Sequence, residues 1–139
     1  TYKMNLSTPS PTLLDQAEQF RAAFNLQTTG TTARPIQFSL IVEEFEEFAN
    51  SCGMSFTQLE EYDTQVESDE NQLNELADLV FVCFQYAASQ DWDLDEAMRR
   101  VHRANMSKLG EDGKPIYRGD GKVLKGPNFK KAEFRDLVK

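Results

Sequence analysis

The residues of this chain whose types and spacing are best suited to chemistry are carboxylates. They fall in two runs, Glu43-Glu44-Phe45-Glu46-Glu47 and Glu75-Leu76-Ala77-Asp78. Side chains three or four residues apart share one face of a helix, so Glu44 converges with Glu47 and Glu75 with Asp78. If the two carrying helices pack antiparallel, four carboxylates face one another. An all-oxygen set of this kind suits a hard divalent cation such as Mg2+ or Mn2+, which keeps positions open for phosphate oxygens. The pattern therefore points to a magnesium-dependent enzyme acting on a phosphorylated small molecule. Glu43 lies one turn from Glu47 and can serve as a base or support the ligands, whereas Glu46 points toward solvent.

With 23 Asp and Glu in 139 residues, acid spacing alone is weak evidence. The surroundings of Asp78 add to it. It sits in the nearly unbroken apolar stretch 76–88, where an ionised carboxylate costs several kcal/mol to bury unless it is paired or bound to a metal. Salt bridges are the plain alternative, but residues 1–98 hold only 3 Lys/Arg against 18 Asp/Glu. Residues 99–139 reverse the balance, with 12 against 5. Such a division either lets two segments attract or provides one part for cations and another for phosphates. The net charge of −8 argues against nucleic acid or an anionic membrane as partner.

The apolar periodicity predicts an all-α protein, a bundle of four main helices over about 11–25, 36–51, 69–89 and 93–109 within a single domain, 1–139. Thr12 with Asp15 three residues on forms a capping box for the first helix. Residues 27–32 read as a loop and Pro35 as the opening of the second helix. Ser68 or Asp69 caps the third, and Asp91 or Asp93 the fourth. Residues 52–68 read as a connection with a possible helical turn. The basic tail, 110–139, reads as a Gly/Lys-rich loop or hairpin with a short helix near 132–138. The third helix is apolar almost all round, more than so small a chain can cover, which predicts an intertwined homodimer or a dimer of dimers. No segment is long and apolar enough to span a bilayer and the first residues lack signal-peptide character, so a soluble cytoplasmic protein is expected. Cys52 and Cys83 read as ordinary thiols.

The two acidic motifs, EExxE and ExxD on successive helices, resemble the mark of the MazG-like family of all-α nucleoside triphosphate pyrophosphohydrolases. The resemblance extends to the segment from His102 to Lys108 and to that from Asp120 to Pro127, which look like the C-terminal part of compact single-domain members, including phage-encoded ones. It covers the chain from the first helix to about Pro127, with a gap between the motifs at the long end for the family. It implies that Glu44, Glu47, Glu75 and Asp78 are Mg2+ ligands, with Mn2+ an acceptable substitute. Glu43 or Glu44 would orient or deprotonate the attacking water. Asn105 would contact the nucleoside, and Lys108, Lys122 and Lys125 the phosphates. Phe81, one turn after Asp78, is a candidate to stack on a base, although core packing is its ordinary role.

The implied reaction gives a monophosphate and pyrophosphate from a nucleoside or deoxynucleoside triphosphate, in deoxynucleotide pool control or cleansing. A narrow dUTPase-like or dCTPase-like specificity is the near alternative. A di-iron bundle would need Glu-x-x-His pairs, and His102 is the sole histidine. A non-catalytic helical interaction module is the competing class.

Overall fold

The computed structural model describes residues 10–54 and 66–138. Most of the ambiguous connection after the second helix, and the first nine residues, lie outside these. The described residues form four α-helices and no β-strand beyond an isolated bridge, which agrees with the all-α expectation. They divide into two compact units, one ending at Trp92 and the other beginning at Asp93.

The first unit contains α1 (Leu13–Ala23), α2 (Gly30–Ser51) and α3 (Asp69–Gln90). The capping box is formed: the Asp15 amide donates to Thr12 Oγ1 at 3.1 Å and the Thr12 amide to Asp15 Oδ2 at 2.9 Å. Ser68 caps α3 by accepting from the Asn71 amide. Asp91 closes α3 instead of starting the next helix, in the left-handed conformation at φ 58°.

Helix α2 begins at Gly30, six residues before the predicted start, and carries Pro35 inside it. Proline costs the helix a hydrogen bond to the residue four before it, and tertiary contacts outweigh that loss. Gln90 makes those contacts. Its Nε2 donates to the Gly30 carbonyl at 2.7 Å, its Oε1 accepts from Arg34 Nε at 2.7 Å, and Ala33 is buried in the first turn.

Helices α2 and α3 run antiparallel over their lengths. Gln90 at the end of α3 meets the start of α2, while the Glu67 amide donates to Ser51 O and Cys52 Sγ to Gln72 Oε1 at the opposite end. The buried apolar residues are mostly small: Ala17, Ala33, Ala49 and Ala87, with Phe84. Small side chains let helix backbones approach closely, but they leave the larger apolar groups outside. Leu73 is 66% exposed, and Leu76 and Val80 are 40% exposed each.

The second unit contains α4 (Leu94–Met106) and the tail. Asp93 caps α4 by accepting from the Glu96 amide. The helix stops three residues before the predicted end, because the Ser107 hydroxyl bonds back to Ala104 O and the tail is strapped across the residues that follow. The Gly126 amide donates to Lys108 O at 2.8 Å, and the Lys130 amide to Ser107 Oγ at 2.9 Å.

Around Gly121 a tight hairpin-like turn pairs Tyr117 with Val123. The expected final helix is a single 3-10 turn, Arg135–Leu137. Arg100 holds it with two bonds to Asp136, at 2.6 and 2.8 Å, and one to the Glu133 carbonyl. Arg99, Arg103 and Arg100 together hold the Glu96 carboxyl down at about 2.

Gly126 is the tightest point of this unit. A methyl group there would collide with the carbonyl oxygens of Leu109 and Lys108. Neither obstacle is a flexible side chain, so the strap would have to lift. Gly126→Ala is expected to destabilise this unit by roughly 1–3 kcal/mol, in the range of overpacking. Urea unfolding of the variant, together with faster hydrogen exchange at the Lys130 amide, would check this.

Candidate metal centre

The spacing of the acidic residues and the antiparallel pairing of α2 and α3 produce the cluster directly. Glu44 and Glu47 lie one turn apart near the middle of α2, and Glu75 and Asp78 one turn apart on α3. Glu44, Glu75 and Asp78 each bring a carboxylate oxygen to within 4.8 Å of the others. An ion with ligands at about 2.1 Å needs little closure to bind such a set. Glu47 stands against both Glu44 and Glu75, so all four acids predicted to converge do so.

The electrostatics are those of like charges gathered without a counter-charge among the described residues. Burial, then Glu47, Asp78 and Glu75, push the Glu44 carboxyl up to about 7 from an ordinary 4.5. Burial and the same neighbours raise Glu75 as well. Oε2 of Glu44 and Oε2 of Glu75 are buried with no hydrogen-bond partner among the described residues. Buried carboxylate oxygens of this kind are costly unless something positive meets them. The donor set, all oxygen with no sulfur or imidazole, fits a hard cation.

The burial argument made from the sequence for Asp78 needs correction. Asp78 is exposed in the chain, and the partly buried acids are Glu44 and Glu75. Its place in an apolar stretch misled, because α3 leaves Leu76 and Val80 exposed on neighbouring positions. Glu43 and Glu46 are exposed, and Glu43 remains within a turn of the cluster.

Phe81 meets Phe20 edge-on, with ring centroids 5.2 Å apart and planes at 89°. That is a packing geometry, the ordinary role foreseen for it. The remaining candidates lie in the second unit. Asn105 is exposed on the last turn of α4, and Lys108 follows in the turn held by Gly126. Lys125 lies over the Phe129 ring at 4.8 Å, and Lys122 belongs to the turn, its amide bonded to Asp120.

Two residues escaped the sequence reading. Arg21 and Gln37 are each only 7% exposed, and Arg21 Nη1 and Gln37 Oε1 have no partner among the described residues. Arg21 could have been noticed, as one of three basic residues before position 99 and in step with the inward positions Leu14 and Ala17. Gln37 gave no such signal.

The raised Glu44 carboxyl has a stability consequence in metal-free protein. A carboxyl whose pKa is higher folded than unfolded binds more protons in the folded state, so stability falls as pH rises between the two values. The thermal midpoint of metal-free protein should fall from about pH 4.5 to about pH 7 and then level off. Glu44→Gln should flatten that slope, and melting curves across the range would check it.

A search of curated proteins returns no match to the chain. The family model for phosphoribosyl-ATP pyrophosphohydrolase matches residues 17–105, which span α1 to α4 and contain all four clustered acids. An all-helical chain with this carboxylate cluster, matched over most of its length, belongs to the phosphoribosyl-ATP pyrophosphohydrolase family.

Proposed function

We propose that the chain is a magnesium-dependent pyrophosphohydrolase of the MazG-like kind. It would cut a nucleoside or deoxynucleoside triphosphate between the α and β phosphates, releasing a monophosphate and pyrophosphate. The observation that carries this reading is the convergence of Glu44, Glu75 and Asp78, with unpartnered buried oxygens, in a chain whose family is named for a pyrophosphohydrolase. Phosphoribosyl-ATP is itself a triphosphate, so the bond class is shared whichever nucleotide this chain takes. A deoxynucleotide, in pool control or cleansing, is favoured by the likeness of the C-terminal segment to compact phage-encoded enzymes.

In this reading Glu44, Glu47, Glu75 and Asp78 would hold Mg2+, with Mn2+ as substitute. The bound ion supplies charge neutralisation for the phosphates and a water of lowered pKa. Glu43 or Glu44 would orient the attacking water and accept its proton. The oxygen attacks the α-phosphorus, the bond to the bridging oxygen breaks, and pyrophosphate departs. Lys108, Lys122 and Lys125 share the charge of the phosphates, and Asn105 contacts the nucleoside.

The protein would work as a homodimer or homotetramer in the cytoplasm. Support comes from the apolar surface of α1 and α3, where Leu13, Leu73, Leu76, Val80, Phe81 and Phe84 line a cavity of about 410 Å3 and several of these side chains are exposed. Exposed apolar patches of that kind mark protein interfaces.

Pyrophosphate release should be assayed across the ribo and deoxy triphosphates and phosphoribosyl-ATP, with Mg2+ and Mn2+. Asp78→Asn is expected to lower the rate by at least on the order of a hundredfold, since even residues behind a metal's ligands cost ten- to a hundredfold. Its helical circular dichroism should be retained. No pyrophosphate from any substrate with either metal would defeat the enzyme reading and leave the non-catalytic module. For assembly, light scattering at micromolar concentration should give a mass of two or four chains, and Val80→Glu should shift it toward one.

A further inference from the structure

The second unit holds a cavity of about 680 Å3 between the C-terminal turns of α4 and the strap at 130–133. Neither the clustered acids nor Lys108, Lys122 and Lys125 line it. Two anchors set its walls. At one end the Lys130 amide donates to Ser107 Oγ at 2.9 Å, and at the other Arg100 Nη1 donates to the Glu133 carbonyl at 3.0 Å. The helical rise from Arg100 to Ser107 is about 10 Å, and the three residues from Lys130 to Glu133 reach about as far when extended. The strap therefore crosses the gap with little slack to fall into it.

The walls are basic. Arg100 and Arg103 line the cavity from α4, and Lys130 and Lys131 from the strap, with Ala104 and Ala132 among them. Arg100 is spent on the frame, bonded twice to Asp136 and once to Glu96. Arg103 differs. It is 64% exposed and gives Nη2 to Glu96 at 3.1 Å, while its Nε and Nη1 have no partner among the described residues. Lys130 and Lys131 are exposed and make no ion pair among the described residues. Glu133 is the one carboxylate among the lining residues, and Glu96 already answers to three arginines. Cations gathered at a concave surface with apolar patches focus their field on whatever enters it.

The arrangement selects among anions. Uncommitted cations stand on two walls, so a single carboxylate cannot satisfy both, whereas a run of linked phosphates carries charge at several points. A guanidinium takes phosphate oxygens in pairs through its planar fork, and ammonium groups meet them as point charges. The volume is that of a small-molecule site. An acidic peptide or a nucleic acid would instead bring a far larger negative body against a chain of net charge −8.

We propose that this cavity is a metal-independent site for the linked phosphates of a small molecule, gripped by Arg103 from α4 and by Lys130 and Lys131 from the strap. The inference stands apart from the reading of the acidic cluster, because it needs neither metal nor hydrolysis.

Titration of inorganic pyrophosphate into the labelled full-length chain in EDTA tests it. The amide resonances of Ala104, Ser107, Lys130, Lys131 and Ala132 should move and saturate. Lys130→Gln combined with Lys131→Gln should weaken binding about tenfold or more, as expected for hydrogen bonds between charged groups. Both side chains are exposed, and the bonds that hold the strap use the Lys130 backbone and Arg100, so the frame survives the change. Lys114→Gln, elsewhere on the tail, should leave the affinity unchanged. Unmoved resonances at 130–132, an equal loss in Lys114→Gln, or sulfate binding as tight as pyrophosphate would each overturn the proposal.

Turnover tells the two sources of such phosphates apart. If KM for a hydrolysed triphosphate rises in the double variant by the factor lost for pyrophosphate, with kcat kept, the cavity holds the substrate's own phosphates. If kcat and KM are unchanged, it holds a free phosphate compound, and the site stands in either case. If no triphosphate is hydrolysed, the hydrolase reading falls while the titration still decides this one.

Discussion

The antiparallel seating of α2 against α3 is the constraint on which the rest of the first unit depends. Four carboxylates from two helices repel one another, and nothing basic among the described residues stands between them. The helices are nevertheless held close, by alanines at the contact and by polar locks at both ends. Gln90 ties the end of α3 to Gly30 and Arg34, while Gln72 and Glu67 tie its start to Cys52 and Ser51. The Gln90 lock sits about three turns from the acids and the Gln72 and Glu67 locks within about two, so the cluster is held between them and the charge is imposed by its frame.

The same frame explains which parts of the structure were legible in the sequence. The acid motifs were legible because a period of three to four residues translates directly into one helix face, and the cluster followed once the two helices paired. The caps at Thr12 and Ser68 were legible for a similar reason, being local chemistry between residues three apart. The start of α2 was not, since it is decided by Gln90, 60 residues away, against the local preference of Pro35. The burial of Asp78 was misjudged because hydropathy along α3 does not say which apolar side chains a neighbour covers. Arg21 and Gln37 were missed because their significance is an absence of partners, which only coordinates reveal.

The second unit is organised differently. Charge, more than apolar burial, holds it together: α4 has no buried residue, and Arg100 serves as the clasp, gripping Glu96 on its own helix and Asp136 in the tail. The excess of basic residues after position 98 is thus divided. Arg99, Arg100, Arg103 and Arg118 are engaged in ion pairs, whereas the exposed lysines carry no carboxylate partner among the described residues. These four arginines shape the unit through ion pairs.

The carboxyl of Glu44 has a further meaning for how the cluster is filled. Burial and the neighbouring carboxylates push it up to about 7, so the proton is held far more readily than on an ordinary glutamate. A cation bound there would not simply add its charge; it would have to displace that proton, so loading would be an exchange of one positive species for another. The heat and apparent affinity of loading then depend on the buffer that receives the proton. Mild acidification would then favour the proton over the cation at that oxygen.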